Sequence, residues 1–237
     1  MSQSEWDKNR DFLAEGIIVL HLPIEPVSLQ ASRKKKEIIT SEIHNITSRF
    51  SFILLSDVRI DIEWHIHPQK RYESDSSADV DNILKPIVDA LSGSKGIIVD
   101  DCQVQGISCH WVDWDRDEQH ITITIQMLDN DAWWLKYGLV FVHMGKGLCY
   151  PIVLEGIAPE EALHTIVSLE NGIAKREKRM AEGADYYFAQ TSMPLRRIFH
   201  ISRVKEFDVF QLADLKAELL NKSGLHNNPR IIEDKQK

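Results

Sequence analysis

From Asp57 to His67 the chain alternates between apolar and polar side chains. Val58, Ile60, Ile62, Trp64 and Ile66 point one way, and Asp57, Arg59, Asp61, Glu63 and His65 point the other. Successive side chains of an extended strand project to opposite faces, so this period makes a half-buried strand with one wet face. His120 to Met127 repeats the pattern, with Ile121, Ile123 and Ile125 set against Thr122, Thr124 and Gln126. Gly16 to Leu22 is a short β-branched run ending at Pro23 and reads as a buried strand.

Helical periods lie between these strands. Ile39, Ile43 and Ile46 share one helix face behind the basic tetrad Arg33-Lys34-Lys35-Lys36. A second helix is expected over Asn82 to Leu91, capped by Asp81 or Asn82, with Pro86 near the end of its first turn. His67 to Ala78 reads as a loop. Ser92-Gly93 closes the second helix, and Gly96 leads into a short strand, Ile97-Ile98-Val99, that runs into Asp100-Asp101. Val104 to Trp111 is a further strand, joined to the one at His120 through the acidic turn Asp113 to Glu118. The fold class expected is α/β (α+β), a mixed sheet with flanking helices.

Asp129 to Asp131 is a polar break, after which the pattern changes. Gly138 to His143 and Tyr150 to Glu155 read as strands joined through Gly145 and Gly147. Pro159-Glu160-Glu161 opens a helix to about Ala181, with acids where the dipole favours them. Leu195 to Val204 is strand-like, Val209 to Asn221 reads as a last helix, and the chain from His226 is a polar tail. The organisation expected is one domain over 1–130, a smaller α/β accessory domain over 131–225 and a flexible tail over 226–237.

Composition bounds the function. The formal net charge is −8, which argues against a protein that coats DNA passively. Residues 1–130 hold 13 Lys and Arg against 22 Asp and Glu, whereas residues 131–237 hold 15 against 14. The acidic excess therefore lies in the first half. No apolar run approaches the roughly 20 residues that span a bilayer. Met1 to Arg10 is polar and leads into no signal-peptide core, so the cytoplasm is the expected location. Cys102, Cys109 and Cys149 are odd in number and form no Cys-x-x-Cys pair, so reduced thiols are expected.

The chemistry concentrates in Asp79-Val80-Asp81-Asn82-Ile83-Leu84-Lys85, with Asp89 following and Asp100-Asp101 after the turn. In an extended backbone Asp79 and Asp81 project to one side, where two carboxylates are costly unless a cation neutralises them. Hard oxygen ligands suit Mg²⁺, with Mn²⁺ as the alternative. Lys85 returns to the face of Asp81 one helical turn later and can offset negative charge there. A strand end is a rigid platform that could bring Asp101 beside the first two carboxylates. Such parts suit metal-assisted phosphodiester hydrolysis. The simpler alternatives are an N-cap for Asp81 and a solvated helix position for Asp89.

In order and spacing, Asp79-x-Asp81-Asn82-x-x-Lys85, Asp89-Ala90-Leu91 and Val99-Asp100-Asp101-x-Gln103-Val104 resemble the signature of the RusA-type Holliday junction resolvases. The likeness extends over about residues 16–128 and includes Leu22-Pro23-x-x-Pro26-x-Ser28 after the first strand. It implies a RusA-like α/β fold, a homodimer, and Mg²⁺-dependent paired incision of four-way junctions in DNA recombination and repair. It also implies Asp79, Asp81 and Asp101 as metal ligands and catalytic groups, and Lys85 as the catalytic lysine. Asn82 and Asp100 match supporting positions, with shaping of the turn as the alternative role for Asp100.

The chain departs from the family just before the first aspartate. A dense basic run is usual there, and this chain has Lys70-Arg71-Tyr72-Glu73-Ser74-Asp75-Ser76-Ser77 instead. Lys70 and Arg71 remain candidate DNA contacts, and Arg33, Lys34, Lys35 and Lys36 are candidates to make up the deficit. A solvated helix start is the alternative for the tetrad. His65 and His67 as metal ligands and Trp111, Trp114, Trp133 and Trp134 as base-stacking groups are weaker readings, with aromatic packing expected for the tryptophans. Lys175-Arg176-Glu177-Lys178-Arg179 reads as a solvated charge run, with DNA contact as the alternative. Two other functions stay open. One is a catalytically weak DNA-binding or regulatory protein of the same fold whose residues 131–225 bind a protein partner. The other is a metal-dependent hydrolase of small phosphoesters.

Overall fold

The computed structural model describes residues 16–73, 79–116, 118–129, 133–194 and 197–223. Ser74–Ala78, Leu195, the tail from His226 and Met1–Arg10, on each of which an expectation fell, lie outside these. Contacts divide the chain into two compact units, 1–136 and 137–237.

In the first unit the alternating segment is β3 (Val58–Ile66), an inner strand of a four-stranded sheet. Its companions are β1 (Ile17–Leu22), β4 (Val104–Asp113) and β5 (His120–Met127), in the order β1-β5-β3-β4. β5 runs antiparallel to both β1 and β3, whereas β4 runs parallel to β3. The sheet is therefore mixed, as expected. The link Asp113–Glu118 is not a hairpin turn, because β4 and β5 lie on opposite sides of β3. At its start the Trp114 amide donates to the Ile66 carbonyl, at the end of β3, at 3.0 Å.

One face of this sheet is dry. Ile18, Leu20, Ile60, Ile62, Ile121 and Ile123 are each at most 2% exposed, and each such side chain stabilises the fold by about 1.5–3 kcal/mol. Helix α1 (Arg33–Thr47) brings Ile39 and Ile43 to the same core, and α3 (Val80–Leu91) brings Ile87 and Leu91. Between them lies α2 (Pro68–Glu73), a short helix where a loop was expected. A two-stranded sheet, β2 (Phe52–Leu54) with β6 (Trp133–Leu135), completes the unit, so its boundary falls after Lys136.

Residues 97–99 do not form the expected strand. They are buried, but make only isolated bridges, from Ile98 to Leu54 and to Ser92. A tight turn after α3 sets this geometry. Gly93 has φ +91°, which favours glycine. A Cβ on Gly96 would stand 2.1 Å from the Leu91 carbonyl oxygen, which instead accepts from the Ile97 and Ile98 amides.

The second unit contains β7 (Leu139–His143), β8 (Leu148–Val153), β9 (Phe199–His200) and β10 (Val209–Gln211), in the order β10-β7-β8-β9. Its helices are α4 (Pro159–Ala181), α5 (Tyr186–Gln190) and α6 (Leu212–Ser223). The expected last helix loses its first three residues to β10. Val209 and Phe210 are good strand formers, and here they pair in parallel with Phe141 and Val142. Among the described residues of the patch Leu195 to Val204, Phe199 and His200 pair, and a 3-10 turn follows at Ile201–Arg203. Among the described residues no helix is long and apolar enough to cross a membrane.

Replacing Gly96 by alanine forces its Cβ into the Leu91 carbonyl. Gly96→Ala is expected to lower the unfolding free energy by about 3 kcal/mol. The check is a lower urea midpoint at unchanged slope.

Candidate active site

Helix α3 carries most of the motif. Ile83, Ile87 and Leu91 are fully buried, while Asp81, Lys85 and Asp89 form an exposed stripe at four-residue spacing. The N-cap is Asp79, extended at φ −68° and ψ 150°, not Asp81 or Asn82. Val80 and Asp81 are already helical, so Asp79 and Asp81 do not share a strand face as i and i+2. What relates them is the start of the helix, where the dipole favours negative charge. The Asp79 side chain makes no capping hydrogen bond, which leaves its carboxylate for other partners.

Pro86 sits well inside the helix, because α3 begins two residues earlier than the sequence pattern indicates. Proline has no N–H, so the carbonyl four residues back loses its helical donor. That carbonyl belongs to Asn82, and it accepts the Leu29 amide at 2.7 Å instead. The loop after β1 is thereby fastened to the first turn of α3. Together they border a cleft of about 650 Å³ lined by Glu25, Ser28, Lys35, Lys70, Asp79 and Asn82, among others.

Asp100 and Asp101 arrive through the turn after α3, held by Gln103. This side chain is 0% exposed. Its amide oxygen accepts the Val99 amide at 2.7 Å and the Asp100 amide at 3.1 Å. Its NH₂ donates to the carbonyls of Leu54 at 3.0 Å and Ser56 at 2.7 Å. An amide has two donors and a two-lone-pair acceptor, and all four positions are used. The Asp100 carboxylate accepts the Cys102 amide at 3.0 Å and closes a capping box with Gln103, a turn-shaping role. Asp101 is left facing α3.

Lys85 joins the two halves. Its ammonium lies 2.7 Å from Asp101 Oδ2 and 2.6 Å from Asp89 Oδ1. The hydrogen bonds to Asp101 and then Asp89 raise the lysine above its ordinary pKa, so it stays charged. The three motif aspartates do not form a ready-made triad. Among the described residues one set of three or more such groups has its ligand atoms within 4.8 Å, and it is Asp61, Glu63 and His110. That set lies on the wet face of the sheet, opposite the face that α3 covers.

Residues 26–126 match the family model Endodeoxyribonuclease RusA. The match begins after β1 and ends within β5, and it takes in the cleft residues other than Glu25, α3, Lys85 and the Gln103 turn. The second unit is unrecognised, and no curated protein matches the chain.

Within the matched segment the candidate basic residues separate. Lys35 and Lys70 line the cleft, where Lys70 pairs with Glu25. Arg71 is held by Asp113 at 3.1 Å and stacks 4.4 Å over Trp111, so it braces α2 against β4. Arg33 is 93% exposed and pairs with Glu37, and Lys34 and Lys36 share its helical turn.

The tryptophans are mostly packing groups. Trp111 meets Trp64 edge to face, Trp133 meets Phe52, and Trp114 meets His65 and His120. His65 and His67 are not in the metal-competent set. Sequence reasoning missed that set because His110 reaches Glu63 only through parallel pairing of β3 with β4, whose register no local pattern reveals. Gln103 has a local signal, since a glutamine between apolar neighbours three residues after an aspartate fits a capping box. Cys109 and Cys149 are free thiols, and burial raises both to about 11.

Gln103→Met removes the partner of two amides and two carbonyls at a dry site, each worth about 1–3 kcal/mol when left unsatisfied. We expect a loss of at least about 3 kcal/mol in unfolding free energy, measured by denaturant titration. Gln103→Glu is expected to be destabilised as well, because it cannot donate to Leu54 and Ser56.

Proposed function

We propose that the RusA segment is a Mg²⁺-dependent endodeoxyribonuclease that resolves Holliday junctions or related branched DNA. The observation that carries this reading is the 2.7 Å contact between Lys85 and Asp101, which joins parts of the motif that lie 16 residues apart. The family match supports the reaction class. The donor set suits the ion: Asp79 has a carboxylate that caps nothing, Asp81 is solvent-facing in the first turn, and Asp101 is carried on a braced turn. Asp79, Asp81 and Asp101 would hold a divalent ion, which when bound would supply an activated water and charge compensation at the phosphate.

The remaining roles belong to the chain. Lys85, kept charged by its carboxylate neighbours, stabilises the negative charge that grows on the phosphate or leaving oxygen. Lys35 and Lys70 meet the phosphate backbone in the cleft, and Asn82 supports Asp79 and Asp81. A homodimer would set two such sites on a two-fold symmetric junction. Roles in recombination and repair and a cytoplasmic location belong to the same reading.

The test is cleavage of a synthetic four-way junction by the full chain. Mg²⁺ is expected to support paired incision and Ca²⁺ is not. Asp81→Asn should lower the rate at least about 100-fold, and Lys85→Met should lower kcat by about 10²–10³-fold with junction binding retained. Absence of Mg²⁺-dependent cutting of junctions, forks and flaps would point to a binding protein of this fold. Turnover of mononucleotide esters would point to a small-phosphoester hydrolase.

A further inference from the structure

The second unit exposes three aromatic rings in succession. Tyr186, Tyr187 and Phe188 on α5 are 56%, 83% and 55% exposed, while their neighbour Ala189 is buried. Contiguous rings left in water mark a surface that gains by being covered. Tyr186 and Tyr187 meet edge to face at 5.8 Å, so one ring braces the other.

The rings stand against the cationic end of α4. Arg179 lies 4.6 Å over the Phe188 ring and donates to the Phe188 carbonyl at 3.2 Å and the Thr191 hydroxyl at 2.9 Å. Both of these acceptors are neutral, so the guanidinium is oriented without its charge being cancelled by them. Arg176 lies 5.8 Å from the Tyr186 ring and donates to Glu177 at 3.0 Å. Glu177 also takes Lys146 at 2.7 Å, so two cations share one carboxylate. Lys175 and Lys178 are exposed on the same stretch, and Lys178 reaches Glu182 only at 3.9 Å. Counting Asp185, which caps α5, five cations face three carboxylates.

A ligand suited to this surface offers flat faces to the rings and spaced negative charge to the guanidiniums and ammoniums. The geometry points to single-stranded nucleic acid, its bases stacked on Tyr187 and Phe188 and its phosphates met by Arg179, Lys175 and Lys178. A duplex keeps its base faces stacked internally and cannot use the rings this way. A protein partner could use the aromatics, but its affinity would not fall with salt in proportion to phosphates contacted. The surface lies outside the RusA match, and binding here does not rest on the nuclease reading.

The test is fluorescence anisotropy of the full chain with a labelled oligothymidylate of about 15 nucleotides in EDTA, which prevents cleavage. A blunt duplex of equal length is the comparison. Tyr187→Ala with Phe188→Ala is expected to weaken the single strand about tenfold or more and to leave the duplex unchanged. Tyr187→Trp should retain binding. Arg179→Ala should reduce the salt slope of log affinity by about 0.7, the loss of one phosphate contact on a single strand. Tyr187→Ala alone is a second probe, since a ring so exposed is not needed for folding, and thermal melts check this.

Failure of the wild type to bind the oligothymidylate, or equal affinity in wild type and folded variants, would overturn the proposal. Unchanged strand affinity with loss of self-association in light scattering would assign the rings to a second copy of the chain, and would also overturn it.

Discussion

A neutral amide cannot be buried cheaply unless all its hydrogen-bonding groups find partners. Gln103 meets that condition by accepting from two amides of the turn after α3 and donating to two carbonyls, Leu54 at the end of β2 and Ser56 in the link to β3. One side chain thus ties the Asp100-Asp101 turn to the entry of the central strand. These four hydrogen bonds hold the turn, and with it Asp101, against the sheet. Gly93 and Gly96 permit the bend, and Gln103 selects it.

A second constraint acts from the other end of α3. Pro86 cannot complete its helical hydrogen bond, and the carbonyl this leaves open at Asn82 captures the loop at Leu29. A local helix defect becomes a tertiary contact that forms one wall of the cleft. The helix is therefore held at its beginning by a loop and at its end by the glycine turn. Between these fixings its exposed stripe carries Asp81, Lys85 and Asp89. In this arrangement one lysine bridges Asp101 and Asp89 and offsets their charge. The wet face of the same sheet holds Asp61, Glu63 and His110, so the two candidate cation sites are on opposite sides of β3.

Much of this was legible in the sequence wherever one face of an element is buried. The alternation at Val58–Ile66 gave β3 within a residue at each end, and the opening Pro159-Glu160-Glu161 gave α4. The isoleucine spacing gave α1. What was not legible depended on partners distant in the chain. Parallel pairing of β3 with β4 makes Asp113–Glu118 a crossing link instead of a turn, and strand order has no local signature. Pairing with β7 likewise turned Val209–Gln211 from helix into strand. At the site, the residues of the motif were readable, but the reasoning that set Asp79 and Asp81 on one strand face was not, because the helix begins at Val80. The exposed rings of α5 had no periodic pattern to announce them.

The two units answer different physical demands. The first is a sheet with one dry face closed by helices, with the motif's charges on one helix stripe and a braced turn. The second leaves aromatic rings and cations on its surface. The central claim concerns the first: that the braced turn presents Asp101 to the same cation as the start of α3. Diffraction from crystals grown with Mn²⁺, read at the manganese absorption edge, tests it most directly. The account predicts an anomalous peak within coordinating distance of the carboxylates of Asp79, Asp81 and Asp101, with Lys85 displaced from Asp101. A peak at Asp61, Glu63 and His110 with none at the start of α3 would contradict it.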